Sequence, residues 1–156
     1  GTGSFLELWG VEALLAGHTA RQAMTTDCPR VAPDVSVESF VQDVILPSGR
    51  RCFAVVDQGR LLGLATLHSI KAVPRAEWPA TPITRAMVPE AQLLKARPDE
   101  ELRDVLERMT AEDVNQLLVV EDGQWMGMVT RDTVLGFVRT LSELGDAARP
   151  ADRRAG

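Results

Sequence analysis

Tyrosine is absent from this sequence, and all aromatic residues together make up 4% of it. A chain so poor in flat aromatic faces lacks the stacking platforms that hold single-stranded nucleic acid. No block of Lys or Arg stands out, and the net charge is −5. Such a balance repels a phosphate backbone, so no nucleic-acid partner is expected. Cysteine is scarce as well. Cys28 and Cys52 have no metal-like spacing, and a pair alone fixes no disulfide. Free thiols in a cytosolic protein are the simpler reading, with a disulfide left open. His18 and His68 stand far apart, with no Cys or acid at ligand spacing beside them, so no metal site is expected. No run approaches the ~18–20 apolar residues of a membrane span. No secretory signal is visible: Phe5 to Leu15 carries Glu7 and Glu12 and lacks a basic start. Also missing are G-x-S-x-G, a phosphate-binding glycine loop, paired carboxylates and His-Glu-x-x-His. No catalytic residue is therefore assigned, and a cytoplasmic, non-enzymatic domain is expected.

What is present is an ordinary globular composition, 45% hydrophobic and 25% charged, organised around one stretch. Gln116 to Thr130 reads as two short apolar strands about the turn Asp122-Gly123, a strong hairpin signal. Gly127 interrupts the second strand, which predicts a bulge or a close backbone approach. Beyond Thr130 the period changes to that of a helix, with Val134, Leu135, Val138 and Leu141 on one face. The same unit occurs earlier. Val55 falls on Val119, Gly59 on Gly123, Gly63 on Gly127 and Thr66 on Thr130, always sixty-four positions apart. Before the strands, Val37, Phe40, Val41 and Val44 match Leu102, Val105, Leu106 and Met109 at sixty-five. The offset therefore drops by one, which the sequence assigns to the loop before the strands. A repeat this long is a duplicated supersecondary unit.

The boundaries follow. Residues 1–16 combine a tag-like Gly1-Thr2-Gly3-Ser4 with a lead-in helix carrying Phe5, Leu8, Trp9 and Leu15, stopped by Gly17. Residues 17–74 are the first repeat, in which Asp34 or Ser36 can cap the helix. Residues 75–82, rich in Pro, are a stiff linker. Residues 83–144 are the second repeat, with Asp99 as helix cap and Glu100 and Glu101 in the first turn. Residues 145–156 are expected to be disordered. One repeat of about sixty residues buries too little surface to be comfortable alone. Each four-residue helix stripe contributes roughly 6–12 kcal/mol gross, at ~1.5–3 per buried side chain.

Arg85-Ala86-Met87, the helix from Asp99 to Thr110, and Val114 to Gly123 with Gly127-Met128-Val129-Thr130 carry a family resemblance. The pattern resembles the CBS domain, and the two copies resemble a tandem pair, or Bateman module. That resemblance implies an α+β fold of two β-α-β-β-α repeats packed about a pseudo-twofold axis. It also implies a regulatory, non-catalytic module binding AMP, ATP or S-adenosylmethionine between the repeats, usually as a homodimer. In the family, Gly-h-h-Thr is followed after two residues by Asp; the Thr meets phosphate and the Asp accepts the ribose hydroxyls. Thr66 and Thr130 match the Thr, but Ser69 and Thr133 stand where the Asp is expected. Asp132 sits one residue early, a rotation of about 100° on a helix, and its counterpart is His68. The candidate ligand residues are Thr66, Ser69, Met87, Thr130, Arg131, Asp132 and Thr133. Arg131 is the candidate for a phosphate, against a plain surface charge. The lead-in helix, Thr19 to Thr25 and Trp78 resemble the C-terminal CBS pair of bacterial M50, site-2-protease-like zinc metalloproteases. The resemblance thus implies attachment to a membrane protease. The alternative is a ligand-free dimerisation or interaction module of a transporter, a channel or a stand-alone CBS protein.

Overall fold

A computed structural model describes residues 11–145. The readings for Gly1 to Ser4, for Phe5, Leu8 and Trp9, and for the tail from Asp146 lie outside the described residues. In chain order the elements are α1 (Val11–Leu15), α2 (Ala20–Ala23), β1 (Arg30–Val31), α3 (residues 37–48), β2 (Cys52–Asp57), β3 (Arg60–Thr66), α4 (Leu67–Lys71), α5 (Ile83–Ala86), β4 (Val88–Pro89), β5 (Lys95–Ala96), α6 (Leu102–Ala111), β6 (Gln116–Glu121), β7 (Gln124–Thr130) and α7 (Arg131–Leu144). The order β-α-β-β-α occurs twice, as β1-α3-β2-β3-α4 and β5-α6-β6-β7-α7, so the α+β expectation holds in its topology.

Two compact units result. One is contiguous, Asp27 to Leu93; the other joins the residues up to Thr26 to those from Leu94 onward. Compact units and sequence repeats therefore do not coincide. In the contiguous unit, the sheet order is β1-β2-β3-β4. β1 runs parallel to β2, while β3 is antiparallel to both β2 and β4. The fourth strand thus comes from the opening of the second repeat. In the other unit the order is β5-β6-β7. There the place of a fourth strand goes to Thr25, whose N–H donates to Met128 O at 2.8 Å and whose O accepts from Met128 N at 2.9 Å. The two repeats have exchanged their openings.

Backbone bonds fasten each exchanged opening to a helix start. Ile83 N donates to Val35 O and Val37 N to Thr81 O, both at 2.8 Å. In the other unit Ala20 N donates to Glu100 O at 3.0 Å and Leu102 N to His18 O at 2.9 Å. These bonds also explain a difference at α6. The helix begins at Leu102, and Glu101 rather than Asp99 holds the cap position, without a side-chain cap bond. The orphan Leu102 N–H finds His18 O instead, so no capping side chain is needed. In α3 the cap is Ser36, whose Oγ accepts from Ser39 N at 3.1 Å.

The stretch 75–82 is mostly a 3₁₀ helix, Arg75–Ala80, held against the end of α4 by Trp78 Nε1 donating to Val73 O at 2.9 Å. It belongs inside the contiguous unit.

The one-residue offset between repeats sits in a helix, not in a loop. The middle of α3, Val41–Ile45, is π-helical, and a π turn holds one residue more than an α turn. Val37 and Phe40 are buried like Leu102 and Val105. Past the π turn the buried residue is Ile45, which sits sixty-four positions before Met109, while Val44 has rolled part-way out. From there to the strands the two repeats are equal in length.

Both cores are built from apolar side chains. In one, Phe40 and Phe53 meet edge to face at 4.8 Å, surrounded by Val37, Val55, Ala65 and Ile83. In the other, Leu102, Val105, Leu106 and Met109 of α6 pack on Leu117, Val119 and Val129. Each hairpin turns through two left-handed residues, Gln58-Gly59 (φ 51° and 81°) and Asp122-Gly123 (φ 52° and 77°). That is the twist a two-residue hairpin requires.

Candidate functional site

Each hairpin ends on a threonine that begins a helix. Thr66 closes β3 and caps α4; Thr130 closes β7 and caps α7. Their backbones are nearly the same, φ −120°, ψ 163° and φ −123°, ψ 165°. Strand geometry at the cap lets the side-chain oxygen reach the free N–H three residues on. Ser69 N donates to Thr66 Oγ1 at 3.0 Å, and Thr133 N to Thr130 Oγ1 at 3.0 Å.

The structure shows what Ser69 and Thr133 do. Thr66 N donates to Ser69 Oγ at 2.9 Å, and Ser69 Oγ donates back to Thr66 O at 3.0 Å. Thr133 Oγ1 makes the same pair with Thr130, at 2.9 Å each way. Each turn is a reciprocal capping box built from hydroxyls. The hydroxyl proton of Ser69 or Thr133 is spent on a carbonyl and one lone pair on an N–H. A carboxylate could accept both hydroxyls of a diol; what remains of these hydroxyls is a single acceptor position. None of these bonds uses the Thr66 or Thr130 O–H.

Further up each strand a glycine admits another chain segment. A Cβ on Gly127 would lie 2.7 Å from Thr25 O and 3.0 Å from Met24 Sδ. A Cβ on Gly63 would collide with Val88 O and approach Met87 Sδ to 2.8 Å. The ladder also shifts register opposite each glycine, between Val55 and Val56 and between Val119 and Val120. Bulge and close approach thus occur together. The consequence for the candidate residues is direct. Met87 stands in the same unit as Thr66 and Ser69, over Gly63, about 10 Å along the strand from Thr66 at ~3.3 Å per residue. The methionine that belongs with Thr130, Arg131, Asp132 and Thr133 is Met24. The sequence offered Met87 as a candidate and not Met24, although Arg85-Ala86-Met87 echoes Arg21-Gln22-Ala23-Met24.

The charged candidates lie at the rim. Arg131 is anchored by its backbone, N–H to Asn115 O at 3.1 Å. Its guanidinium is 4.0 Å from the Asp113 carboxylate, and that carboxylate is 98% exposed. A contact so long and so solvated contributes little, so the guanidinium is free to turn toward an anion. Asp132 and His68 are both exposed on their first helical turns. Among the described residues no group of three His, Cys, Asp or Glu could hold a metal. His18 is buried at 5% exposure, edge-on to Phe137 at 5.1 Å and 3.3 Å from Gln22 Oε1, a packing role. Among the described residues no helix is long and apolar enough to cross a membrane.

Residues 85–140 match the CBS domain family. Over 130 residues, 81% of the chain, the sequence is 31% identical to Rip3 of Mycobacterium tuberculosis, named a zinc metalloprotease, and spans 33% of that protein's length. Among solved structures, AcuB from Vibrio cholerae, described as an acetoin utilization protein, superposes with a TM-score of 0.70 at 18% identity, covering 85% of this chain and 98% of its own. The CBS domain of a bacterial CNNM/CorC family Mg2+ transporter, solved in complex with ATP, gives 0.69 at 15% identity, covering 83% and 92%.

Proposed function

We propose that this chain, whose residues 85–140 match the CBS domain family, is a regulatory, non-catalytic module that reads an adenosine nucleotide at the Thr130 turn and controls an attached membrane protein. One observation carries the reading: Thr130 Oγ1 is fixed by the Thr133 N–H at 3.0 Å, and its own proton is left to donate to a phosphate. Arg131, next in sequence and only loosely paired with Asp113 at 4.0 Å, supplies the charge. A phosphate between them would receive a hydroxyl hydrogen bond and a guanidinium fork. With no carboxylate at the Ser69 or Thr133 position, the ribose diol is held weakly, so phosphate dominates. ATP and ADP should then bind better than AMP, and S-adenosylmethionine least. The likeness to Rip3 supports a zinc metalloprotease as the attached protein, with this module on its cytoplasmic side.

Thermal melting against AMP, ADP, ATP and S-adenosylmethionine is the test. At a ligand concentration 100 times Kd a single site adds about 2.7 kcal/mol, which is readily seen. Arg131→Gln should remove most of the ATP shift. No shift at millimolar concentration with any of the four would refute sensing.

A second reading rests on the closed hydroxyl boxes at Ser69 and Thr133: the chain is a ligand-free dimerisation or interaction module of a transporter, a channel or a stand-alone CBS protein. It requires a dimer whose light-scattering mass is indifferent to nucleotide, and a strict monomer would dismiss it.

A further inference from the structure

The two cysteines meet across a strand pair. β1 and β2 are parallel, with Arg30 opposite Ala54 and Val31 opposite Val55, and Ala54 N donates to Pro29 O at 2.8 Å. Two residues back along both segments, on the same face, Cys28 stands opposite Cys52. Neighbouring strands lie ~4.8 Å apart, within the ~4.4–6.8 Å between Cα atoms that a disulfide spans. Neither cysteine is in a disulfide, and both are half-buried.

Their surroundings differ. A hydrogen bond between the two thiols is the main cause holding Cys28 below its usual range; burial and the Asp27 carboxylate oppose it, and Arg50 and the Ala54 N–H assist. Arg50 is held there by Asp27, donating to its O at 2.9 Å and pairing with its carboxylate at 3.0 Å. The same hydrogen bond, with burial, pushes Cys52 up. One sulfur is primed as a nucleophile and the other keeps its proton. The fold does not require the pair: in the sister unit the position matching Cys52 is Gln116, likewise opposite a threonine.

We propose that Cys28 and Cys52 form a peroxide-responsive dithiol switch. The Cys28 thiolate attacks a peroxide oxygen; the S–O bond forms, the O–O bond breaks, and the leaving oxygen takes up a proton as water. The Cys52 sulfur then attacks the Cys28 sulfenic acid, forming S–S and releasing a second water. Two thiols lose two electrons and two protons to one peroxide. The resulting bond ties the start of β1 to β2 at Cys52, directly opposite Thr66.

The full chain is titrated with hydrogen peroxide and its mass read without reductant. The expected product is a monomer lighter by two hydrogens, whose tryptic digest links peptide 22–30 to peptide 52–60. In Cys52→Ser, dimedone should trap a sulfenic acid on Cys28. Cys28→Ser should consume peroxide more slowly than Cys52→Ser, in which the introduced hydroxyl can still hydrogen-bond the Cys28 sulfur and Arg50 is unchanged. The wild-type peptide map needs no variant to fold. Chains linked to each other, sulfinic acid with no linked peptide, or equal peroxide rates in the two variants would overturn the proposal.

Discussion

The same substitution, glycine to alanine, should have opposite signs at two places in one unit. At Gly127 a methyl group would stand 2.7 Å from Thr25 O and 3.0 Å from Met24 Sδ. The methionine can swing aside, but the carbonyl cannot, since Thr25 is tied to Met128 by backbone bonds of 2.8 and 2.9 Å. Either the contact is kept and strained, at ~1–3 kcal/mol, or the Thr25 segment lifts off. Lifting off forfeits two hydrogen bonds at ~0.5–1.5 kcal/mol each. Both routes converge on a loss of about 2 kcal/mol. Gly136 lies within α7, and a methyl there meets nothing within 4 Å. Alanine at Gly136 should stabilise by ~0.5–1 kcal/mol through helix propensity and a less free unfolded chain. At ~2–4 °C per kcal/mol for a chain this size, the two variants should straddle the wild type in a thermal scan. Urea unfolding followed by circular dichroism and tryptophan fluorescence measures both. Trp125 is well placed to report, with its Nε1 donating to Gly127 O at 2.9 Å. A Gly127→Ala protein as stable as wild type would refute the packing argument. So would two variants that shift the same way.

Three further expectations can be checked with the same protein. Gln58 sits at φ 51° in a two-residue turn, where Asn is better suited, so Gln58→Asn should stabilise by a few tenths to about 1 kcal/mol in urea unfolding. Thr133→Val removes one member of the capping box while keeping the side-chain volume; a loss of ~0.5–2 kcal/mol is expected, and no loss would mean the box is decorative. Because Cys28 is held below the usual thiol range by the Cys52 hydrogen bond and by Arg50, more of it is thiolate at neutral pH. Its iodoacetamide rate should therefore level off at lower pH than that of a free cysteine, ~8.5. Arg50→Ala should move the inflection back up, and an unmoved profile would remove Arg50 from the account.

The repeat was legible because side chains that pack must recur. Gly63 and Gly127, Thr66 and Thr130, and the helix stripes all carry the duplication, and from them follow both hairpins and the span Arg131–Leu144 of the last helix. What stayed hidden depends on partners distant in sequence. The helix start at Leu102 instead of Asp99 is decided by His18 O, eighty-odd residues away. The π turn at Val41–Ile45 leaves an apolar stripe that reads like an ordinary helix until burial shows which residue faces inward. Of the site, the threonines were visible as matches to the family pattern and their hydroxyl partners as departures from it, but their closure into boxes was not, since any hydroxyl at that spacing could equally point to solvent. That Met87 shares a unit with Thr66, and Met24 one with Thr130, was hidden for the same reason that the unit boundaries differ from the repeat boundaries: the openings are exchanged.

That exchange makes a prediction about fragments. A cut at the repeat boundary, giving residues 17–74, keeps β1 to β4's partner strand but discards β4 and α5. With them go Ile83 and Ala86, both at 4% exposure or less, and the ladder of Gly63 with Pro89 and Leu64 with Val88. Burying Ile83 alone is worth ~1.5–3 kcal/mol. A cut at the compact-unit boundary, giving residues 27–93, keeps all of these in a piece of similar length. For chains of about sixty residues stability is marginal, so a difference of that size decides whether a cooperative transition exists. The 27–93 fragment should melt cooperatively by circular dichroism, and the 17–74 fragment should not. If both melt alike, or if only 17–74 folds, then the exchanged opening contributes nothing to the unit, and the bonds from Ile83 to Val35 and from Val37 to Thr81 are passengers rather than the fastening of the fold.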